Sequence, residues 1–307
     1  MSRVLITGAS GFIGLPLSTQ LARAGDEVHA LSRNPPPAEP AGVHWHRVDL
    51  ADQRACASLI AEIAPEQLVH LAWYVEHGRF WNAPENVLWV ERSLALLRAF
   101  AGAGGRRAVM LGSCAEYDWS AADGPLQETS SALAPATLYG VTKDALHRVA
   151  SAYADEQGFE LAWGRPFFFY GPREDPRRLV AAVVRALLAG EELDTTSGRQ
   201  RRDFLHVEDV AGALAALLHS TVLGPVNIAS GEAVAVASVI DAIAELLGSP
   251  QLIRRGALPE RPEPQLLLAD VARLREQVGF RPSFALSDGL AETVRWWREQ
   301  DPGAARR

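Results

Sequence analysis

Three glycines spaced three apart, Gly8, Gly11 and Gly14 in VLITGASGFIG, constrain this chain more than any other feature. They stand between an apolar run that reads as a strand, residues 3–7, and a helical pattern over 12–24. Glycine is needed where a backbone turns sharply out of a strand, where it lets another group approach closely, and where a helix packs tightly on the strand before it. Apolar, β-branched runs at 27–32, 43–48, 67–72, 107–112 and 160–165 follow, separated by helical patterns near 52–64, 85–103 and 139–157. Strands that alternate with helices in this way form βαβ units, and hence a parallel sheet covered on both faces.

The fold class expected is therefore α/β, a Rossmann-type doubly wound parallel sheet. Residues 1–165, with parts of 200–230, form the dinucleotide-binding domain in this reading. Beyond residue 165 the alternation loosens into proline and arginine clusters between helices near 178–189, 208–219 and 235–247. Residues 166–300 then supply most of a smaller, interleaved C-terminal substrate-binding lobe. The proline-rich stretch NPPPAEPAG at 34–42 reads as a loop within the first domain.

At the glycine turn, the first helix offers free amide donors and the positive end of its dipole to a pyrophosphate. About twenty residues on, a carboxylate would accept from an adenosine ribose 2′-hydroxyl, whereas an arginine accommodates a 2′-phosphate. No acid occupies 31–34; Ser32 and Arg33 do, so the cofactor expected is NADP, with NAD the alternative. Asp49 and Leu50, just past the third strand, are placed to meet the adenine.

The net charge of −7 excludes a general nucleic-acid binder, which carries a basic surface. Two cysteines, Cys56 and Cys114, do not make a disulfide scaffold. The eight histidines show no metal-ligand spacing, so no metal is expected; His44 and His46 alternate onto one strand face and read as structural. No apolar stretch approaches membrane-spanning length and the N-terminus lacks a cleavage-site pattern, so the expectation is a cytoplasmic protein with no membrane partner.

The chain contains a single lysine, Lys143, among 30 basic residues, and it lies one helical turn after Tyr139. Residues four apart in a helix share a face. A nearby ammonium favours a phenolate and lowers a phenol's pKa, which suits acid–base work on an alkoxide or hydroxyl. Arginine, a rigid planar fork, would not both tune a phenol and reach a ribose. Ser113, at the end of the fifth strand, can donate to and accept from a carbonyl or hydroxyl oxygen. Nothing marks Cys114 beside it as a nucleophile.

With these residues in hand, the chain resembles an extended short-chain dehydrogenase/reductase of the NAD(P)-dependent sugar epimerase/dehydratase group. TGASGFIG, HLAW at 70–73, GSCAEY at 112–117, YGVTK at 139–143, RPFFFYGP at 165–172, RRDFLHVEDV at 201–210 and GFRP at 279–282 carry the likeness, which spans the whole chain. The resemblance implies that Ser113, Tyr139 and Lys143 are the catalytic trio and that Lys143 also binds the nicotinamide ribose. It implies that Phe12, Ile13, Leu71, Ala72, Trp73 and Pro166 join the glycines around the cofactor. Arg202 and Arg261 match positions that often contact the diphosphate of a nucleotide-sugar, and Cys114, Glu116 and Phe168 match the substrate side. A homodimer through the helices near 85–103 and 139–157 follows from the same likeness.

The departures are informative. Sugar 4,6-dehydratases carry an Asp-Glu pair where this chain has Cys114 and Ala115, so water elimination lacks its acid and base. Glu116 is one residue out of that register. Phe168 replaces a frequent asparagine, Glu91 replaces another, and Trp73 stands where a small residue is usual. Trp73, Tyr74, Phe80, Trp81, Tyr117 and Trp119 flank these loops and suit either a sugar-stacking wall or packing between lobes. The function expected is an NADP-dependent reductase of a 4-keto-6-deoxy nucleotide-sugar, with an epimerase as the alternative. A non-catalytic cofactor sensor has no need of the paired Tyr139 and Lys143.

Overall fold

The computed structural model describes residues 2–34, 40–260 and 262–300. Seven parallel strands make the central sheet: β1 (Arg3–Thr7), β2 (Glu27–Ser32), β3 (Val43–Arg47), β4 (Gln67–His70), β5 (Arg107–Leu111), β6 (Glu160–Pro166) and, arriving late in the chain, β10 (Gly224–Ile228). Across the sheet their order is β10-β6-β5-β4-β1-β2-β3. The order reverses between β1 and β4, and such a switch point opens a crevice at the carboxyl ends of the strands.

Alternation along β1 shows how both faces are filled. Val4 and Ile6 point into one core, which is closed by α1 (Gly14–Arg23) and α6 (Val207–His219). Leu5 points into the other, closed by α2 (Gln53–Ile63), α3 (Glu85–Gly102) and α4 (Leu138–Gln157). Strands buried on both faces read as continuous apolar runs, which is why RVLIT and RAVML are recognisable in the sequence. α4 starts on Thr137, whose hydroxyl accepts from the Gly140 amide, and stops at Gly158 in the left-handed conformation (φ 74°).

After β6 the chain builds a smaller lobe. It contains β7 (Phe168–Tyr170), α5 (Leu179–Ala189), β8 (Leu193–Thr195), β9 (Arg201–His206), β11 (Ala233–Ala235), α7 (Val236–Leu247), β12 (Ile253–Arg255), β13 (Leu266–Leu267) and α8 (Leu286–Gln300). β9 pairs with β7, β11 and β13, and a third apolar core lies among α5, α7 and α8. The chain returns through α6 and β10 to the main sheet between these elements, so the lobe interleaves with the sheet.

Candidate active site

The switch point opens into a cleft of about 380 Å³ at the carboxyl ends of the strands. Around it stand Gly8, Gly11, Phe12, Ile13 and Gly14 from the first turn, Ser32 and Arg33 after β2, and Asp49 and Leu50 after β3. Leu71, Ala72 and Trp73 after β4, Ser113 after β5, Tyr139 and Lys143 on α4, and Pro166 on β6 complete the wall. Residues expected at a cofactor and at a catalytic centre are therefore neighbours.

The glycines carry the geometry. A Cβ on Gly8 (φ +69°) would stand 2.8 Å from the Ala72 amide, and one on Gly14 would collide with the Gly8 carbonyl. Only glycine lets the turn, β4 and α1 come this close. The cap residue of α1, Ile13, makes no side-chain cap bond; the Leu15 amide donates to the Gly11 carbonyl and Pro16 has no N–H, so the helix opens onto the cleft through the turn that ends at Gly14. Such a cradle fits a dinucleotide's phosphates.

At the end of the cleft formed after β2 and β3, the Ser32 hydroxyl is hydrogen-bonded to Ser10 Oγ at 2.6 Å and donates to the Asn34 carbonyl at 2.9 Å. The register of β2 on β3 sets Arg47 opposite Ser32, and Arg33 and Arg47 line one recess that continues from the cleft. Arg47 escaped the sequence reading. Its signal was the strand register, which no local motif reports.

Under the cleft, His70 is buried and held between β1 and α3. It is hydrogen-bonded through Nδ1 to Thr7 Oγ1 at 2.6 Å and through Nε2 to Ser93 Oγ at 2.8 Å. Ser93 gives its own proton to the Trp89 carbonyl, so His70 carries its hydrogen on Nε2 and accepts from Thr7. Burial, then the Lys143 charge, lowers its pKa to about 3, and it remains neutral. The peg fixes the segment Leu71–Trp73.

Ser113 caps the short 3-10 turn Cys114–Glu116: its hydroxyl accepts from the Ala115 amide, and Glu116 Oε1 accepts from the Ser113 amide at 2.8 Å. Tyr139 is buried beside Ser113. Burial pushes its phenol above the ordinary value, while Ser113 and Arg178 act in the opposite sense. This corrects the expectation that Lys143 lowers the phenol. The ammonium instead donates to the Leu111 carbonyl at 2.6 Å and sits 3.8 Å from the centre of the Trp73 ring, at 6.0 Å from that of Tyr139. Burial lowers the Lys143 pKa to about 7, with Glu116 opposing.

Four residues expected on the substrate side do not line the cleft. Glu116 is fully buried, bonded to Arg165, Trp163 and the Ser113 amide, and presents no oxygen to a ligand. The reason is the 3-10 turn, which folds its carboxylate inward. Cys114 is also in the core; burial pushes its thiol to about 12, away from any thiolate role. Phe168 does not line the cleft: it packs on Phe204 and under Arg202, while its neighbours Phe167 and Phe169 do line it. Arg202 is 4% exposed, paired with Glu263 and donating to the Pro264 and Arg201 carbonyls, so it too lies outside the cleft. Arg261 lies outside the described residues.

Arg178 lines the cleft and was not anticipated. It caps over the rings of Phe12 and Phe169 at 5.8 and 4.7 Å, donates to the Phe169 carbonyl and pairs with buried Glu174 at 3.0 Å. Of the flanking aromatics, Phe80, Trp81 and Trp73 all present edges to the Tyr139 ring, and Trp119 touches Trp81. Tyr117 instead donates to Asn227 in the core, and Tyr74 to Glu76. Among the described residues no group of three or more His, Cys, Asp or Glu side chains is disposed to hold a metal ion, and no helix is long and apolar enough to cross a membrane.

Comparison with known proteins places the chain in one family. The NAD dependent epimerase/dehydratase family matches residues 4–229 of the sequence. The chain belongs to that family. A relative from Streptomyces bikiniensis, named dTDP-4-dehydro-6-deoxy-D-allose reductase, is 31% identical, covering 96% of each chain. UDP-glucuronic acid decarboxylase 1 of Xenopus tropicalis is 27% identical over 97% of this chain and 72% of its own length. Among solved structures, MoeE5 in complex with UDP-glucose and NAD superposes with a TM-score of 0.84 at 33% identity, covering 97% of this chain and 99% of that one. Relatives and neighbours of this epimerase/dehydratase family member include epimerases, dehydratases, reductases and a decarboxylase, and the protein is an NAD(P)-dependent enzyme of the extended short-chain dehydrogenase/reductase type.

Proposed function

We propose that the protein is an NADP-dependent reductase acting on a 4-keto-6-deoxy sugar carried by a nucleoside diphosphate. The observation that carries this is the recess holding Arg33 and Arg47 at the ribose end of the cleft, where an NAD-selective site would have a carboxylate on β2. Two forked cations suit a 2′-phosphate. NADPH is spent in net reductions, whereas an epimerase keeps its NAD through both half-reactions. The 31% identity to an enzyme named as a 4-keto-6-deoxy sugar reductase supports the same reading.

A dinucleotide held by the Gly8–Gly14 turn, Arg33 and Lys143 would supply hydride chemistry at the cleft. Tyr139 gives its proton to the forming alkoxide, and a phenol held protonated by burial suits a donor. Ser113 hydrogen-bonds the same oxygen, its hydroxyl set by the turn that Glu116 closes. Lys143 fixes the ribose and carries positive charge toward the site. Arg178, held by Glu174, faces phosphate charge. Two copies pair through α3 and α4, whose Val87, Leu88, Val141 and Val149 are exposed apolar side chains.

Retention of NAD by an epimerase is the second reading, favoured by 33% identity to MoeE5, which was solved with UDP-glucose and NAD. Purified protein with NADPH and a 4-keto-6-deoxy nucleotide-sugar should oxidise one NADPH per product. Conversion without net oxidation of cofactor would replace the reductase by the epimerase.

A further inference from the structure

Lys143 is the one lysine of the chain, and the side chain beneath it is fixed from behind. The Lys143 Nζ lies 3.8 Å from the centre of the Trp73 ring, well inside the range of a cation–π contact. Both residues are buried. The indole cannot swing freely, because its Nε1–H donates to Asn86 Oδ1 at 2.8 Å. Asn86 is itself fully buried, and its amide donates to the Phe80 and Ala83 carbonyls at 2.7 and 2.9 Å. Both amide hydrogens of Asn86 and its carbonyl oxygen are thereby engaged in holding one ring and one turn. The next residue of that turn to act on α4 is Asn82, whose Oδ1 accepts from the Leu138 amide, immediately before Tyr139.

We propose that Trp73 is a positioning residue for Lys143, its Asn86-anchored ring face keeping the ammonium charged and aimed along the cleft floor. This rests on the reading of Lys143 as part of the site. It extends that reading to a residue which touches neither reacting oxygen. The physical need is clear from the surroundings. An ammonium buried this deeply has lost most of its water, and its pKa falls toward 7 in consequence. Among the described residues its one hydrogen-bond acceptor is the Leu111 carbonyl, so the negative face of the indole supplies the remaining stabilisation. The other titratable groups that reach it are Glu116 from the turn after β5, which favours its charge, His70 from β4, which is neutral, and Tyr139 on its own helix.

The single lysine makes a direct test available. Protein grown with 13C-labelled lysine gives one Cε resonance, whose pH titration reads Lys143 alone. In the wild type the attached protons should be displaced upfield by the Trp73 ring current, and the resonance should titrate near neutral pH. In Trp73→Leu the upfield displacement should vanish and the titration midpoint should fall by about one pH unit, the equivalent of a desolvated cation–π contact. Trp73→Phe, which restores a ring face without the Nε1–H, should recover most of both. A purely structural role for Trp73 would lower stability in Trp73→Leu and leave the midpoint in place, which would overturn the proposal. Should Trp73→Leu not fold, a wild-type resonance at the ordinary lysine position would overturn it just as well. Loss of the catalytic reading shows separately, as turnover that survives Lys143→Met, and does not alter the titration.

Discussion

Arg165 and Glu116 form an ion pair, 2.7 Å from Nε to Oε2, in which neither side chain is exposed to solvent. The pair is the back wall of the site. Glu116 takes hydrogen bonds from Trp163 and from the Ser113 amide as well, so Arg165 on β6 reaches through one carboxylate to the backbone that carries the serine. Gly112 leaves the room this needs, since a Cβ there would overlap both the Trp163 indole nitrogen and Glu116 Oε1.

Removing one partner of such a pair leaves an uncompensated buried charge. Glu116→Gln should therefore lose about 3–5 kcal/mol of stability, measured by urea denaturation. Adding Arg165→Met in that background should recover a substantial part of the loss, since the stranded guanidinium is then gone. A Glu116→Gln protein as stable as the wild type would show that the carboxylate is not ionised in the fold.

Arg33 and Arg47 should act together on the cofactor. Arg33→Ala or Arg47→Ala should each raise the KM for NADPH by about tenfold, the value of a charge-assisted hydrogen bond, with little change for NADH. Steady-state kinetics with both cofactors decides this. An equal loss for NADPH and NADH would remove the 2′-phosphate from the recess.

Those two arginines also mark where the sequence stops being legible. The glycine turn, β1–β6 and α1–α7 are local patterns whose limits fall within a residue or two of the periodicity, whereas the later strands β7–β13 and helix α8 are not anticipated from it. Arg33 is visible because it follows its strand at a known distance. Arg47 is not, since it joins Arg33 only through the register of β3 on β2. The same divide explains Glu116, whose carboxylate is claimed by an arginine 49 residues away. It also explains Lys143, whose spacing to Tyr139 is plain but whose ammonium turns toward Trp73, a residue of a different strand end.

Tyr139→Phe removes only the hydroxyl, and the aromatic edges of Phe80, Trp81 and Trp73 around the ring remain. The variant should fold and bind NADPH as the wild type does, while kcat falls by about 10²–10⁴-fold, the usual contribution of a positioned acid. Cofactor binding followed by fluorescence separates the two effects. Turnover at the wild-type rate would take Tyr139 out of the mechanism.

The exposed apolar side chains on α3 and α4 predict the assembly. Leu88 and Val149 are 48% and 49% exposed, and neither supports the core of its own subunit. Leu88→Arg with Val149→Arg should convert a dimer to a monomer in light scattering, with an unchanged circular dichroism spectrum. A wild-type protein that is already monomeric at micromolar concentration would refute the pairing.

Lys143 makes stability depend on pH in a direction opposite to a salt-bridged lysine. Its pKa in the fold is lowered to about 7 from 10.5, so between those values the unfolded chain binds the extra proton. Stability then rises with pH across that window, because the proton that folding must expel is already leaving the unfolded chain. Below about pH 7 both states are protonated and the penalty is at its full value. Lys143→Met has no proton to lose and should be more stable than the wild type at pH 7. From pH 7 to pH 9 that advantage should shrink by roughly 2 kcal/mol. Urea denaturation of both proteins at the two pH values isolates the effect, since every other titrating group is common to them. A constant difference would place the lysine's folded pKa at its ordinary value.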